Sequence, residues 1–149
     1  MTIFNGNPDR IIGDHYLERY YVIPRNRWFS VYLHKFLGSD DDRACHDHPW
    51  ASVSFLLAGR LIELTPYDSA EMCEVFPETE VLRGRHIPWL WPVFRKATHT
   101  HRMVLFRGPA YTLFITGPKV REWGFLCAKG WKHWSLMTTK DGKQIGGCE

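Results

Sequence analysis

The sequence predicts a single all-β domain built as a sandwich or barrel. Short apolar runs rich in β-branched and aromatic residues recur along the chain, Gly and Pro separate them, and almost no stretch has a helical period. Each run is long enough for a strand and too short for a good helix.

Residues 1–27 read as an irregular arm on the core, with a turn cluster at Asn5-Gly6-Asn7-Pro8 and a short apolar stretch at 20–23 closed by Pro24. Strands are expected at 28–37, 52–57 and 61–65, the last two joined as a hairpin around Ala58-Gly59. Further runs at 81–82, 86–90, 102–106, 111–116 and 120–126 are set apart by Gly84, Pro92, Gly108-Pro109 and Gly117-Pro118. Helical character is confined to 69–76, which Pro66 and Pro77 limit to about two turns. The domain division is an arm at 1–27, a barrel at 28–140 and a flexible, Gly-rich tail at 141–149 that should fray.

A chain of 149 residues, 44% hydrophobic and 15% aromatic, can bury one packed core. Its net charge of +3 is too small an excess for a nucleic-acid footprint. Basic residues do gather locally, at Arg25 and Arg27, Arg83 and Arg85, Arg95 and Lys96, where they form a solvated face or receive an anionic small molecule. Cys45, Cys73, Cys127 and Cys148 form no Cys-x-x-Cys pair and read as free thiols in a reducing compartment. With no leader-like N-terminus and no run of roughly 18 apolar residues, a cytoplasmic protein with no membrane partner is expected. The apolar side chains Ile3, Phe4, Ile11, Ile12, Tyr16 and Leu17 of the arm could cover a sheet edge in the same or a second subunit, so a homodimer is expected.

Two of the eight histidines stand as His46-Asp47-His48-Pro49 before an apolar strand. Residues i and i+2 of an extended chain project to one face, so both imidazoles can reach a common point. The other reading is two surface or hydrogen-bonded histidines at a strand entry. A second group, His99-Thr100-His101-Arg102, enters another strand about fifty residues later, and a closed barrel can bring such strands together. Imidazole suits several divalent transition metals, among them Fe, Zn, Mn and Ni, so the spacing names none of them.

These residues resemble the cupins, whose first motif runs Gly, a gap, His-x-His, three or four residues, Glu, six residues, Gly, and whose second motif adds a later His. His46, His48 and Gly59 match the first motif, and His101 is the ligand implied by the second. The runs His46-Asp47-His48-Pro49-Trp50, His101-Arg102, Tyr111-Thr112-Leu113-Phe114-Ile115-Thr116-Gly117-Pro118 and Arg121-Glu122-Trp123-Gly124-Phe125 are similar to a small group of cupins common in bacteria and their phages. The resemblance covers about 28–123. It implies a double-stranded β-helix (jelly-roll) barrel with metal ligands His46, His48 and His101. Ser52 stands where the family's Glu would be. Three readings follow: a three-histidine site, a site completed by Glu63 from the returning strand of the hairpin, or a site that no longer binds metal. His99 shares parity with His101 and is the alternative third ligand.

Tyr32 and His34 alternate on one strand and share a face, where they could orient a substrate or serve as acid and base, or else simply bond within the barrel wall. Together with Glu63 they form the candidate catalytic set. Arg102 is expected to point outward, and Arg121 with Glu122 resembles a structural pair of the family. Trp50, Trp89, Trp91 and Trp123 could line an apolar pocket or belong to the core. No Gly-rich phosphate loop, Gly-x-Ser-x-Gly elbow or His-Glu-x-x-His helix is present, so no nucleotide cofactor is expected. The expected function is a metal-dependent enzyme acting on a small molecule, dioxygenase-like or of the isomerase or lyase type. The alternatives are a non-catalytic module binding an anionic metabolite and a structural protein.

Overall fold

The computed structural model describes residues 6–40, 44–66, 82–127 and 129–148. The helical turns expected at 69–76, and Cys73 within them, lie outside the described residues.

Twelve strands are present among these residues: β1 (Arg10–Ile12), β2 (Leu17–Tyr21), β3 (Ser30–Phe36), β4 (Cys45–His46), β5 (Ser52–Ala58), β6 (Leu61–Pro66), β7 (Leu82–His86), β8 (Val93–Arg95), β9 (Arg102–Leu105), β10 (Ala110–Thr116), β11 (Gly124–Cys127) and β12 (Gly130–His133). One antiparallel sheet runs β1-β2-β3-β10-β5-β8. A second layer comprises β12-β11-β4 and β7-β6-β9. His46 and His101 join these two smaller sheets: each backbone N–H donates to the other's carbonyl, at 2.8 and 3.0 Å.

The layers close on a core that includes Leu17, Phe36, Leu56 and Ala110 from the large sheet and Leu61 and Met103 from the small one. Period-two alternation governs which side chains turn inward. On β3, Tyr32, His34 and Phe36 are buried between less buried neighbours. A separate cluster of Ala44, Phe125, Cys127 and Met137 packs beneath Trp123 and Trp134.

Several features differ from the sequence reading. The arm is not wholly irregular: β1 and β2 extend the large sheet, covering the edge of β3 within the same chain. Nor do β5 and β6 form a hairpin; the former pairs with β10 and β8, the latter with β7 and β9. The chain changes layers at Gly59, whose φ is +84° and whose missing side chain would meet Ala110 Cα and Pro109 O at 2.6 Å. A local pattern of two adjacent strands cannot reveal such a crossing. The C-terminal residues expected to fray are bonded to the core, Gly13 N–H donating to Asp141 O at 2.7 Å and Ile145 N–H to Met137 O at 3.0 Å. Cys127 and Cys148 are not free thiols but a disulfide, their Cα atoms 5.3 Å apart. Cys45 is buried, its Sγ–H directed to Leu64 O at 3.9 Å. Among the described residues no helix is long and apolar enough to cross a membrane.

Candidate metal centre

Alternation around β4 sets the geometry of the first two histidines. Asp47, between them, is buried and turned away: Gly124 N–H donates to its Oδ1 at 2.7 Å, Trp131 Nε1–H to its Oδ2 at 2.9 Å, and Arg121 Nη1 lies 2.7 Å from Oδ2. Fixing Asp47 on one side commits His46 and His48 to the other, with ring centroids 5.0 Å apart. The backbone pairing of His46 with His101 then carries the third ring to 5.2 Å from His46 and 4.9 Å from His48. One donor atom from each of the three lies within 4.8 Å of the others.

The residues fit a transition metal. Bonds of about 2.0–2.2 Å hold neighbouring ligand atoms roughly 3–4 Å apart, a contraction that small ring rotations supply. Burial, then the neighbouring His101 and His46, pushes the His48 imidazole well below its ordinary pKa. Burial likewise lowers His101 to about 3, although Glu63 opposes the shift. Both rings are therefore neutral near pH 7 and keep the lone pair that a metal requires.

Glu63 is 1% exposed and stands behind His101. Its Oε1 lies 2.6 Å from His101 Nδ1, 2.6 Å from Arg95 Nε and 3.1 Å from His99 Nε2, and its Oε2 accepts from Arg85 Nη2 at 2.8 Å. Arg95 also donates to Ser54 Oγ at 2.8 Å. Burial alone would raise the Glu63 carboxyl, but hydrogen bonds from His101 and His99 and the charge of Arg95 outweigh it and hold the group well below the usual carboxylate range. An ionised Glu63 fixes the proton of His101 on Nδ1, which turns Nε2 into the lone-pair nitrogen. His99 meets His101 at this carboxylate and forms with it a second cluster, Glu63, His99 and His101.

The three histidines border a cavity of about 700 Å³ inside the barrel. Tyr32 and His34 face it from β3, stacked on each other at 5.7 Å, and Phe114 from β10 stacks on His34 at 4.9 Å. Trp50 and Trp123 line the same space, whereas Trp89 and Trp91 are 66% and 69% exposed and lie outside it. Arg121 and Glu122 are not partners of each other: Arg121 pairs with Asp47, and Glu122 with Lys119 and His133.

Sequence reasoning passed over three residues here. Arg95 stood out merely as one of a basic pair, and nothing local signals its burial against Glu63. Asp40, whose Oδ2 accepts from Met103 N–H at 2.8 Å, and Arg19 on β2 also line the cavity.

The chain matches no protein-family model and no curated protein sequence. Solved structures match the architecture. A protein with a double-stranded β-helix domain from Klebsiella pneumoniae superposes with a TM-score of 0.53 at 11% identity, over 76% of this chain and 81% of that one. The fold is that of the cupins. The chain is also similar in fold to the Fe(II) form of HppE, with a TM-score of 0.56 at 13% identity over 75% of this chain and 56% of that one. The DMSP lyase DddQ from Ruegeria pomeroyi matches with a TM-score of 0.52 at 16% identity, over 74% of this chain and 52% of that one. The chain thus spans about half the length of the HppE and lyase structures.

Proposed function

We propose that this cupin is a metal-dependent enzyme acting on a small molecule bound inside its barrel, with His46, His48 and His101 as the metal ligands. The observation that carries the reading is the position of Glu63. The nearest carboxylate is engaged by His101, Arg95 and Arg85 instead of standing as a fourth ligand, which leaves three imidazoles facing the cavity. A divalent transition metal held there, Fe, Zn, Mn or Ni, would supply Lewis acidity, or redox chemistry if it is iron, to a substrate atom at the positions the histidines leave open.

The chain's own residues divide the remaining work. Glu63 keeps His101 in one tautomer and orientation. Trp50, Phe114 and Trp123 wall the space with apolar surface and exclude water from the bound molecule. Tyr32 and His34 face the cavity, where they position the substrate. Similarity to a DMSP lyase and to the Fe(II) form of HppE supports enzymatic use of such a barrel on small molecules.

Metal analysis after exposure to each of the four ions tests the reading. The intact protein should take up about one equivalent of at least one ion, and His48→Ala should lose most of it. His133→Ala should retain it, since His133 bonds to Glu122 and Ser135 on the surface. Turnover found in a screen of small organic substrates should disappear in His48→Ala. Full occupancy in a chain lacking both His46 and His48, or no uptake of any of the four ions, overturns the proposal.

A further inference from the structure

Arg19 occupies an unusual place in the cavity wall. Its Nε donates to His34 Nε2 at 2.9 Å, and its guanidinium carbon sits 4.5 Å from the centre of the Tyr32 ring. These contacts aim the side chain without neutralising it. Among the described residues no carboxylate pairs with Arg19, and its two terminal nitrogens make no hydrogen bond. Arg10, also on the cavity wall, pairs with Asp141 at 3.7 Å. A partly buried guanidinium held by an imidazole and an aromatic face, with its fork of donors open to a cavity, is well placed for an anion to complete it.

A track of rings connects this cation to the metal centre. His48 meets Trp50 at 4.9 Å, Trp50 meets Phe114 at 5.4 Å, and Phe114 meets His34 at 4.9 Å. The two polar ends of the cavity are therefore separated by an apolar, largely aromatic wall.

We propose that Arg19 is an anion-binding subsite and that the ligand of this cavity is a small organic carboxylate. Its acid group takes the terminal nitrogens of Arg19 as a two-pronged acceptor, its flat or apolar middle lies along Phe114 and Trp50, and its far end reaches the histidines. His34 acts in this arrangement as a positioning residue, since its Nε2 lone pair orients the guanidinium. The far-end contact rests on the metal-centre reading above; the anion subsite does not.

Benzoate and its neutral counterpart benzamide are the probes, titrated into metal-free and zinc-exposed protein while the Arg Nε–H resonances are followed by NMR. Benzoate should shift the Arg19 signal saturably in both forms, benzamide should leave it in place, and Arg19→Gln should weaken benzoate binding about tenfold or more. Arg19→Lys, which keeps the charge but loses the fork, should recover part of the affinity. Equal binding of benzoate and benzamide, or undiminished benzoate binding in a folded Arg19→Gln protein, overturns the subsite. If Arg19→Gln does not fold, the benzoate and benzamide comparison on the intact chain decides. Zinc uptake without benzoate selectivity would sink the subsite and leave the metal centre standing. Benzoate selectivity without zinc uptake would support the subsite and count against the metal centre.

Discussion

Glu63 Oε1 lies 2.6 Å from His101 Nδ1, a bond between a fully buried carboxylate and the ring that backbone pairing with His46 brings to the candidate metal centre. It converts the carboxylate from a candidate ligand into the group that selects the tautomer of one. Replacing Glu63 with Gln keeps an oxygen at that position but removes its charge and leaves the buried Arg95 without its anion. Metal affinity should fall about 10–100-fold, and stability should drop by about 3 kcal/mol or more. Calorimetric titration of metal into the folded variant checks the first effect and thermal unfolding the second. An unchanged metal affinity would remove Glu63 from the site.

Acid should destabilise the metal-free protein through its enclosed histidines. Burial, then the charge of Arg19, holds His34 well below its ordinary pKa, and His48 and His101 are lowered in the same direction. The folded state refuses protons that the unfolded chain accepts below about pH 6.5, so this stability is present above that pH and is lost as pH falls. Each such group contributes a slope of up to about 1.4 kcal/mol per pH unit. Urea unfolding at pH 7, 6 and 5 should show a shallower decline in His34→Gln than in the parent. Identical slopes would place His34 among ordinary titrating histidines.

Removing the disulfide should cost about 3 kcal/mol, because Cys127 and Cys148 close a loop over a separation of 21 residues. Alkylation of the unfolded, non-reduced chain should spare both cysteines, and prior reduction should expose both. Modification of either without reduction, read by peptide mass, contradicts the pairing.

Gly59→Ala should be destabilising by about 2 kcal/mol or more, since φ is +84° and the added methyl would overlap backbone atoms of Pro109 and Ala110. Gly108→Ala is the comparison: φ is +55° there, but the added methyl meets nothing within 4 Å. Its penalty should be smaller, and equal unfolding midpoints would refute the crossing argument.

Legibility in the sequence followed distance along the chain. The all-β class could be read directly, because Gly and Pro punctuation and strand-length apolar runs are properties of adjacent residues. Alternation likewise put His46 and His48 on one face with Asp47 on the other, and Tyr32 with His34 on another shared face. Which distant strands meet had no such signature. His99 and His101 have the same parity, and what separates them is the backbone pairing of His101 with His46. Glu63 looked like a ligand from the hairpin that β5 and β6 do not form, and its actual partners come from β7, β8 and the segment leading into β9. Arg19 belonged to an arm that seemed irregular, and it acquires its role only because β2 pairs with β3 and sets it beside His34. Periodicity decides the side of a strand on which a residue falls; the closing of two layers around one cavity decides what it finds there.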